Sequence, residues 1–181
     1  MRTVVCDLET TGFKSDIGTL IVACFAELDT SGNLRKMQTR TVNDFEGTVN
    51  QREKQLCQWT VDQWQSADIV IGQYHSVFDQ KFLQGVMLRH KIQHGILEPR
   101  ILIDLVMVGR GSFGMSMAMA NVLDVLGLGK KDAPNKADWR EANHGDDASL
   151  RRIAERCKSD VRNTAKIWLE FKPLYFRKRG K

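Results

Sequence analysis

The chain has no pair of cysteines at C-x-x-C spacing. Cys6, Cys24, Cys57 and Cys157 are scattered, which argues against a zinc knuckle or a small disulfide scaffold and fits reduced thiols in a cytoplasmic protein. Long apolar runs are lacking as well. No stretch approaches the roughly 18 residues a membrane span needs, and strand-forming residues begin within a few positions of Met1. No signal peptide, membrane anchor or membrane partner is therefore expected. Internal repeats and low-complexity segments are missing too. Acidic charge is in slight deficit: 27 Lys+Arg face 22 Asp+Glu, for a net charge of +5 and a pI near 9.1. That balance suits a polyanionic partner without requiring one. With 181 residues, 42% of them hydrophobic, the chain can bury one core and is too short for two ordinary domains. The expectation is a single domain over 1–175 and a basic tail at 176–181 that is either frayed in solvent or in contact with phosphate. Nothing in the sequence identifies a protein partner.

The apolar pattern gives a coarse order of elements. Strands are expected at 3–8, about 19–28 and about 34–42, separated by turns at Gly12 and at Thr30-Ser31-Gly32-Asn33; three consecutive antiparallel strands follow from this. A short helix is expected at 60–65, then a buried strand in Ala67 to Gly72 and a helix over about 77–91, a crossover toward parallel pairing. A second apolar run, Ile101 to Val108, leads to the glycine-bearing stretch 109–114 and a helix at 115–126, whose Met115 and Met119 are core filler. Residues 127–145 show no period and are expected as a long connection. A final helix over about 146–171 opens with acidic residues that suit its N-terminal dipole. Its apolar seam runs through Leu150, Ile153, Ala154, Cys157, Val161, Thr164 and Trp168. At 100° per residue, Asp160 falls about 60° from the centre of that seam, near enough to face a sheet edge.

Asp7-Leu8-Glu9-Thr10-Thr11-Gly12 carries the most information. Two carboxylates at i and i+2 on a strand point to one face, and like charges that close call for a divalent cation between them. Two further acids stand on the expected elements: Asp79 in Phe78-Asp79-Gln80-Lys81-Phe82-Leu83, and Asp160 in Cys157-Lys158-Ser159-Asp160-Val161. In this order the four acids resemble the DEDD superfamily of 3′-to-5′ exonucleases with a ribonuclease-H-like fold. The resemblance spans nearly the whole chain and takes in Ile101 to Arg110 and Val122 to Leu128. It implies an α/β fold with a mixed sheet of about five strands, the first three antiparallel, and helices on both faces.

The resemblance also implies the chemistry. Carboxylates are hard oxygen ligands for Mg²⁺ or Mn²⁺, and two ions about 3.5–4 Å apart activate a water and stabilise the leaving 3′ oxygen. Carried over, Asp7 would bridge both ions, Glu9 and Asp160 would hold the nucleophile-side ion, and Asp79 would serve the second. Thr10, Thr11 and Gly12 would lie beside the terminal nucleotide, with Phe13 and Phe82 as apolar contacts. Single-stranded DNA or RNA 3′ ends are the implied substrate. The chain departs from the pattern where members place a Tyr four residues, or a His five residues, before the last Asp: here stand Arg156 and Glu155, and Tyr74 replaces a frequent Asn. Arg is always protonated. Three accounts follow: a base comes from elsewhere, His144 or His75 being nearest in sequence; or a metal-bound water, already acidified, needs only weak help; or catalysis is lost and Arg156 holds a phosphate. Two other readings remain open, a nucleic-acid-binding module without catalysis and a ribonuclease-H-like endonuclease such as a junction resolvase.

Several features have simpler readings. Gly109-Arg110-Gly111-Ser112-Phe113-Gly114 fits G-x-G-x-x-G, but no strand follows the next helix as a dinucleotide fold requires; a flexible turn beside the substrate groove is expected. Phe113 is a candidate wedge or a packing residue. Lys130, Lys131, Lys136 and Arg140 are candidates for guiding the substrate strand or members of a solvated basic loop.

Overall fold

The computed structural model describes residues 1–93, 95, 97, 101–131, 135–143 and 145–179. Five strands form one mixed sheet in the order β3-β2-β1-β4-β5: β1 Thr3–Thr10, β2 Leu20–Leu28, β3 Leu34–Thr41, β4 Ile69–Gly72 and β5 Ile101–Asp104. β1, β2 and β3 pair antiparallel, and β4 and β5 join parallel to β1. This is the mixed, ribonuclease-H-like sheet expected from the sequence.

β2 is buried along almost its whole length, so it reads as a continuous apolar run, Leu20-Ile21-Val22-Ala23-Cys24-Phe25-Ala26. Its neighbours show why. Phe25 meets Trp59 edge-on at 5.7 Å on one face, while Cys24 takes a hydrogen bond from Cys157 on the other. Trp59 belongs to α1 (Val49–Gln65) and Cys157 to α6 (Asp147–Arg179), so the two long helices cover opposite faces. β3 closes the edge with Arg35, Lys36 and Arg40, charges that discourage pairing with another chain.

The helices differ from the expected ones in instructive ways. α1 starts at Val49, eleven residues before the expected 60, after a capping box between Thr48 and Gln51. Its buried seam is Glu53, Leu56, Cys57, Thr60, Val61 and Trp64, and the polar members Glu53 and Thr60 hide its period. α2 spans Asp79–Arg89. The stretch expected as a flexible glycine turn is helical: α3 covers Leu105–Phe113, its N-terminus capped by Asp104, which accepts from Val106 N at 3.0 Å. Gly109 there lets Met117 pack close, since a Cβ would lie 2.0 Å from its Sδ, and Gly114 ends the helix at φ 63. Phe113 packs on Phe171 at 5.1 Å. α4 is Met119–Val125, and the long connection contains a short helix, α5, Lys136–Asn143. α6 runs past the expected end near 171, through Pro173 to Arg179, with Phe176 against Trp168 at 6.2 Å. Gly180 and Lys181 lie outside the described residues. Among the described residues no helix is long and apolar enough to cross a membrane.

Candidate active site

β1 ends with Asp7 and Glu9 on the face that α6 covers, for Asp7 pairs in register with Cys24, which touches Cys157 of α6. The Cys157 thiol also reaches the Asp7 carbonyl at 3.3 Å. That contact seats α6 on β1, and Asp160, three residues further along the helix, turns toward the strand. Carboxylate oxygens of Asp7, Glu9 and Asp160 come within 4.8 Å of one another. Asp79, at the start of α2, stands beside this trio rather than inside it. It is buried, receives the Leu8 backbone N–H, and its charge acts on Asp7.

Crowding and burial push protons onto these groups. Asp7 is held well above the usual carboxylate range, by burial first and then by Glu9, Asp79 and Asp160. Burial raises Glu9 to about 7, although Arg156 and Lys131 and a hydrogen bond from the Trp139 indole oppose it. Burial raises Asp79 as well, against the opposing pull of His75. The cations lie close: Lys131 Nζ is 2.7 Å from Asp160 Oδ2, and Arg156 is 3.7 Å from both Glu9 and Asp160. The Arg156 guanidinium also lies over the Trp139 ring at 5.6 Å. Asp160 Oδ1 is buried with no hydrogen-bond partner, which is costly unless something positive meets it.

Asp7, Glu9 and Asp160 line a cleft of about 420 Å³ together with the 10–13 turn, Phe78, Trp139 and Arg156. The turn is self-tied: Thr10 Oγ1 donates to the Gly12 carbonyl at 2.7 Å, and Thr11 Oγ1 accepts from Thr19 N at 2.9 Å. Gly12 and Gly18 let the loop close on itself, as a Cβ on Gly18 would lie 3.2 Å from the Gly12 backbone. Phe13 is 90% exposed and meets Phe78 edge-on at 6.3 Å.

Two residues expected at the site stand elsewhere. Phe82 is buried and props Phe78 from behind at 5.5 Å; Phe78 is the aromatic that lines the cleft. His75 is fully buried, stacked on Trp64 at 5.3 Å with Nε2 2.8 Å from the Cys6 carbonyl and 3.8 Å from Asp79 Oδ2. It does not line the cleft, and Gly72 makes room for its ring. His144 lies outside the described residues. Lys130 and Arg140 are exposed. Sequence reasoning missed Trp139. Its signal was a large aromatic in a polar connection with no apolar period to place it in a core.

No protein-family model and no curated protein matches the chain. Solved structures do match. A family B DNA polymerase from the hyperthermophilic archaeon Pyrobaculum calidifontis superimposes with a TM-score of 0.72 at 15% identity, over 96% of this chain and 25% of the polymerase. E. coli Exonuclease I in a zinc-bound complex with single-stranded DNA gives 0.63 at 12% identity, over 95% of this chain and 40% of that one. The same enzyme with a dT13 oligonucleotide gives 0.62 at 12%, over 97% and 42%. The chain thus spans well under half the length of these proteins, and at such identities the likeness establishes the fold it shares with them.

Proposed function

We propose that the chain is a metal-dependent 3′-to-5′ exonuclease that removes nucleoside 5′-monophosphates from single-stranded DNA or RNA ends. The observation that carries this reading is the trio Asp7, Glu9 and Asp160 within 4.8 Å in the lining of one cleft. The likeness to a nuclease crystallised with single-stranded DNA supports it. An all-oxygen donor set suits Mg²⁺ or Mn²⁺, and the orphaned, buried Asp160 Oδ1 is an acceptor that such an ion would satisfy. Asp7, Glu9 and Asp160 would hold one ion, and Asp7 with Asp79 a second. Bound there, divalent ions supply the positive charge that acidifies a water nucleophile and stabilises a leaving 3′ oxygen.

The chain's own side chains do the rest. Phe13, Phe78 and Trp139 offer apolar faces on which an unpaired terminal base would stack. Arg156 is positioned to meet a backbone phosphate. Among the described residues the cleft lining has no imidazole or phenol.

The test uses purified protein, Mn²⁺ and an end-labelled single-stranded oligonucleotide. Release of mononucleotides from the 3′ end is expected, falling to background in Asp7→Ala. Equal release by both proteins would expose a contaminant. Cutting of a circular single strand would instead mark an endonuclease, because an exonuclease leaves a circle intact. Arg156 where a Tyr commonly stands favours a second reading, a module that binds nucleic acid without cutting it. That module would show salt-sensitive binding from counterion release and no product at any Mn²⁺ concentration.

A further inference from the structure

Tyr74, in the turn between β4 and α2, holds a backbone conformation that bulky residues rarely adopt. Its φ is 65, in the left-handed region that Gly and Asn enter readily and Tyr does not. The surrounding structure enforces it. Asp104, buried at the end of β5, accepts from Tyr74 N at 3.1 Å, from Ser76 N at 3.0 Å and from the Ser76 hydroxyl at 2.5 Å. Strain fixed in this way gathers at functional positions, so what the residue presents to solvent matters.

It presents an aromatic ring joined to a cation. The ring is 36% exposed. Arg110 of α3 sets its guanidinium 5.6 Å from the ring centroid and donates to the Tyr74 hydroxyl at 3.2 Å. Arg110 is itself exposed, and among the described residues its partner is Tyr74 rather than a carboxylate. Val77 in the same turn and Met107, three residues before Arg110 on α3, are exposed too. A ring for a base, a free positive charge for its phosphate and an apolar margin are what an unpaired nucleotide needs.

The pair also stands in the right place. The Tyr74 carbonyl accepts from Phe78 N at 2.8 Å, one turn of chain from an aromatic that lines the cleft. β4, which leads into Tyr74, is the sheet neighbour of β1, which leads into the 10–13 turn. We propose that Tyr74 and Arg110 form a second nucleotide platform outside the cleft, where Tyr74 stacks a base of the substrate strand and Arg110 meets a phosphate beside it. The proposal rests on the exonuclease reading for the strand it binds. With the 3′ end in the cleft, only nucleotides upstream of the scissile bond can reach this platform.

Steady-state hydrolysis of an end-labelled single-stranded oligonucleotide by the full chain, with Mn²⁺ and stepped salt, tests this. Tyr74→Asn is expected to raise KM about tenfold, the loss of one stacked base, with kcat unchanged. Its urea midpoint stays level or rises, because Asn takes a left-handed φ more readily. Arg110→Gln is expected to raise KM as well and to flatten its salt dependence by about one phosphate contact. Circular dichroism checks both folds, and Arg110→Gln, which leaves the turn intact, decides alone if Tyr74→Asn does not fold. An unchanged KM in either folded variant, or an unaltered salt slope in Arg110→Gln, overturns the proposal and leaves the exonuclease reading standing. If the unaltered protein cuts nothing, that reading falls, and fluorescence anisotropy of the same oligonucleotide decides the platform. Binding weakened about tenfold by Tyr74→Asn keeps it; equal or absent binding removes it.

Discussion

Gly72 shows how a single residue reaches the site. A Cβ there would lie 1.8 Å from His75 Nε2 and 1.9 Å from its Cδ2. The ring has nowhere to go, being fully buried against Trp64 and held on the Cys6 carbonyl. Gly72→Ala is therefore expected to destabilise the protein by about 1–3 kcal/mol, the usual cost of overpacking, read as a lower urea midpoint with an unchanged slope. Unchanged stability would mean that the ring can move. His75 illustrates the limit of residue-level reading. Sequence proximity to Asp79 made it a candidate base, but which sheet face an imidazole occupies is set by the backbone at 72–75, where Tyr74 takes φ 65. Phe78 and Phe82 teach the same point: both belong to one motif, and only packing decides that Phe78 lines the cleft while Phe82 supports it.

Among the elements, the loop between β1 and β2 depends on two helices that come later in the chain, α1 and α2. Arg89 at the end of α2 donates to the Ser15 and Gly18 carbonyls at 2.7 and 3.0 Å and pairs with Glu53 of α1. Glu53 is buried, accepts from Leu20 N at 2.9 Å and meets His90 at 2.7 Å. Gly85 leaves room for Ser15 against α2. Removing Arg89 leaves a buried carboxylate short of a partner, a cost of up to about 3–5 kcal/mol for a fully buried pair and less here because the Arg89 side chain is 30% exposed. Arg89→Met is expected to loosen the loop that carries Phe13 and to speed tryptic cleavage after the exposed Lys14. Cleavage there at the unaltered rate would show that the clamp does not hold the loop. Nothing local in the sequence signals this network. Glu53 sits in a helix whose polar start concealed it, and its partners are 33 to 37 residues away.

For the whole molecule, the acid cluster ties stability to pH and to divalent ions. Asp7, Glu9 and Asp79 all bind protons more tightly in the fold than their ordinary values, Glu9 rising from 4.5 to about 7. The folded chain then holds more protons than the unfolded one, so the metal-free protein loses stability as pH rises through that window and levels off above the folded values. Divalent ions act in the opposite sense, because binding requires deprotonated ligands and adds about 2.7 kcal/mol at a hundredfold excess over Kd. Thermal melts at pH 5.5 and 8 should show a metal-free protein less stable at pH 8 and a Mn²⁺-induced rise that is larger there. An equal rise at both values would argue against ion binding by this cluster.

The sequence by itself determined the sheet order of β1 to β3, because hydrophobic alternation and turn residues act over a few positions, and it determined which acids lie at a strand end or on a helix face. It marked Asp7 and Glu9 as neighbours, since the two-residue period of a strand fixes that relation locally. Only the tertiary structure decided what stands against them. The seating of α6 on β1 through Cys157 brought Asp160 into the cluster, and Lys131 and Trp139 reach it from outside any element the apolar pattern marked. Those contacts join residues far apart in the chain, and packing across the whole core, with no local pattern to announce it, selects them.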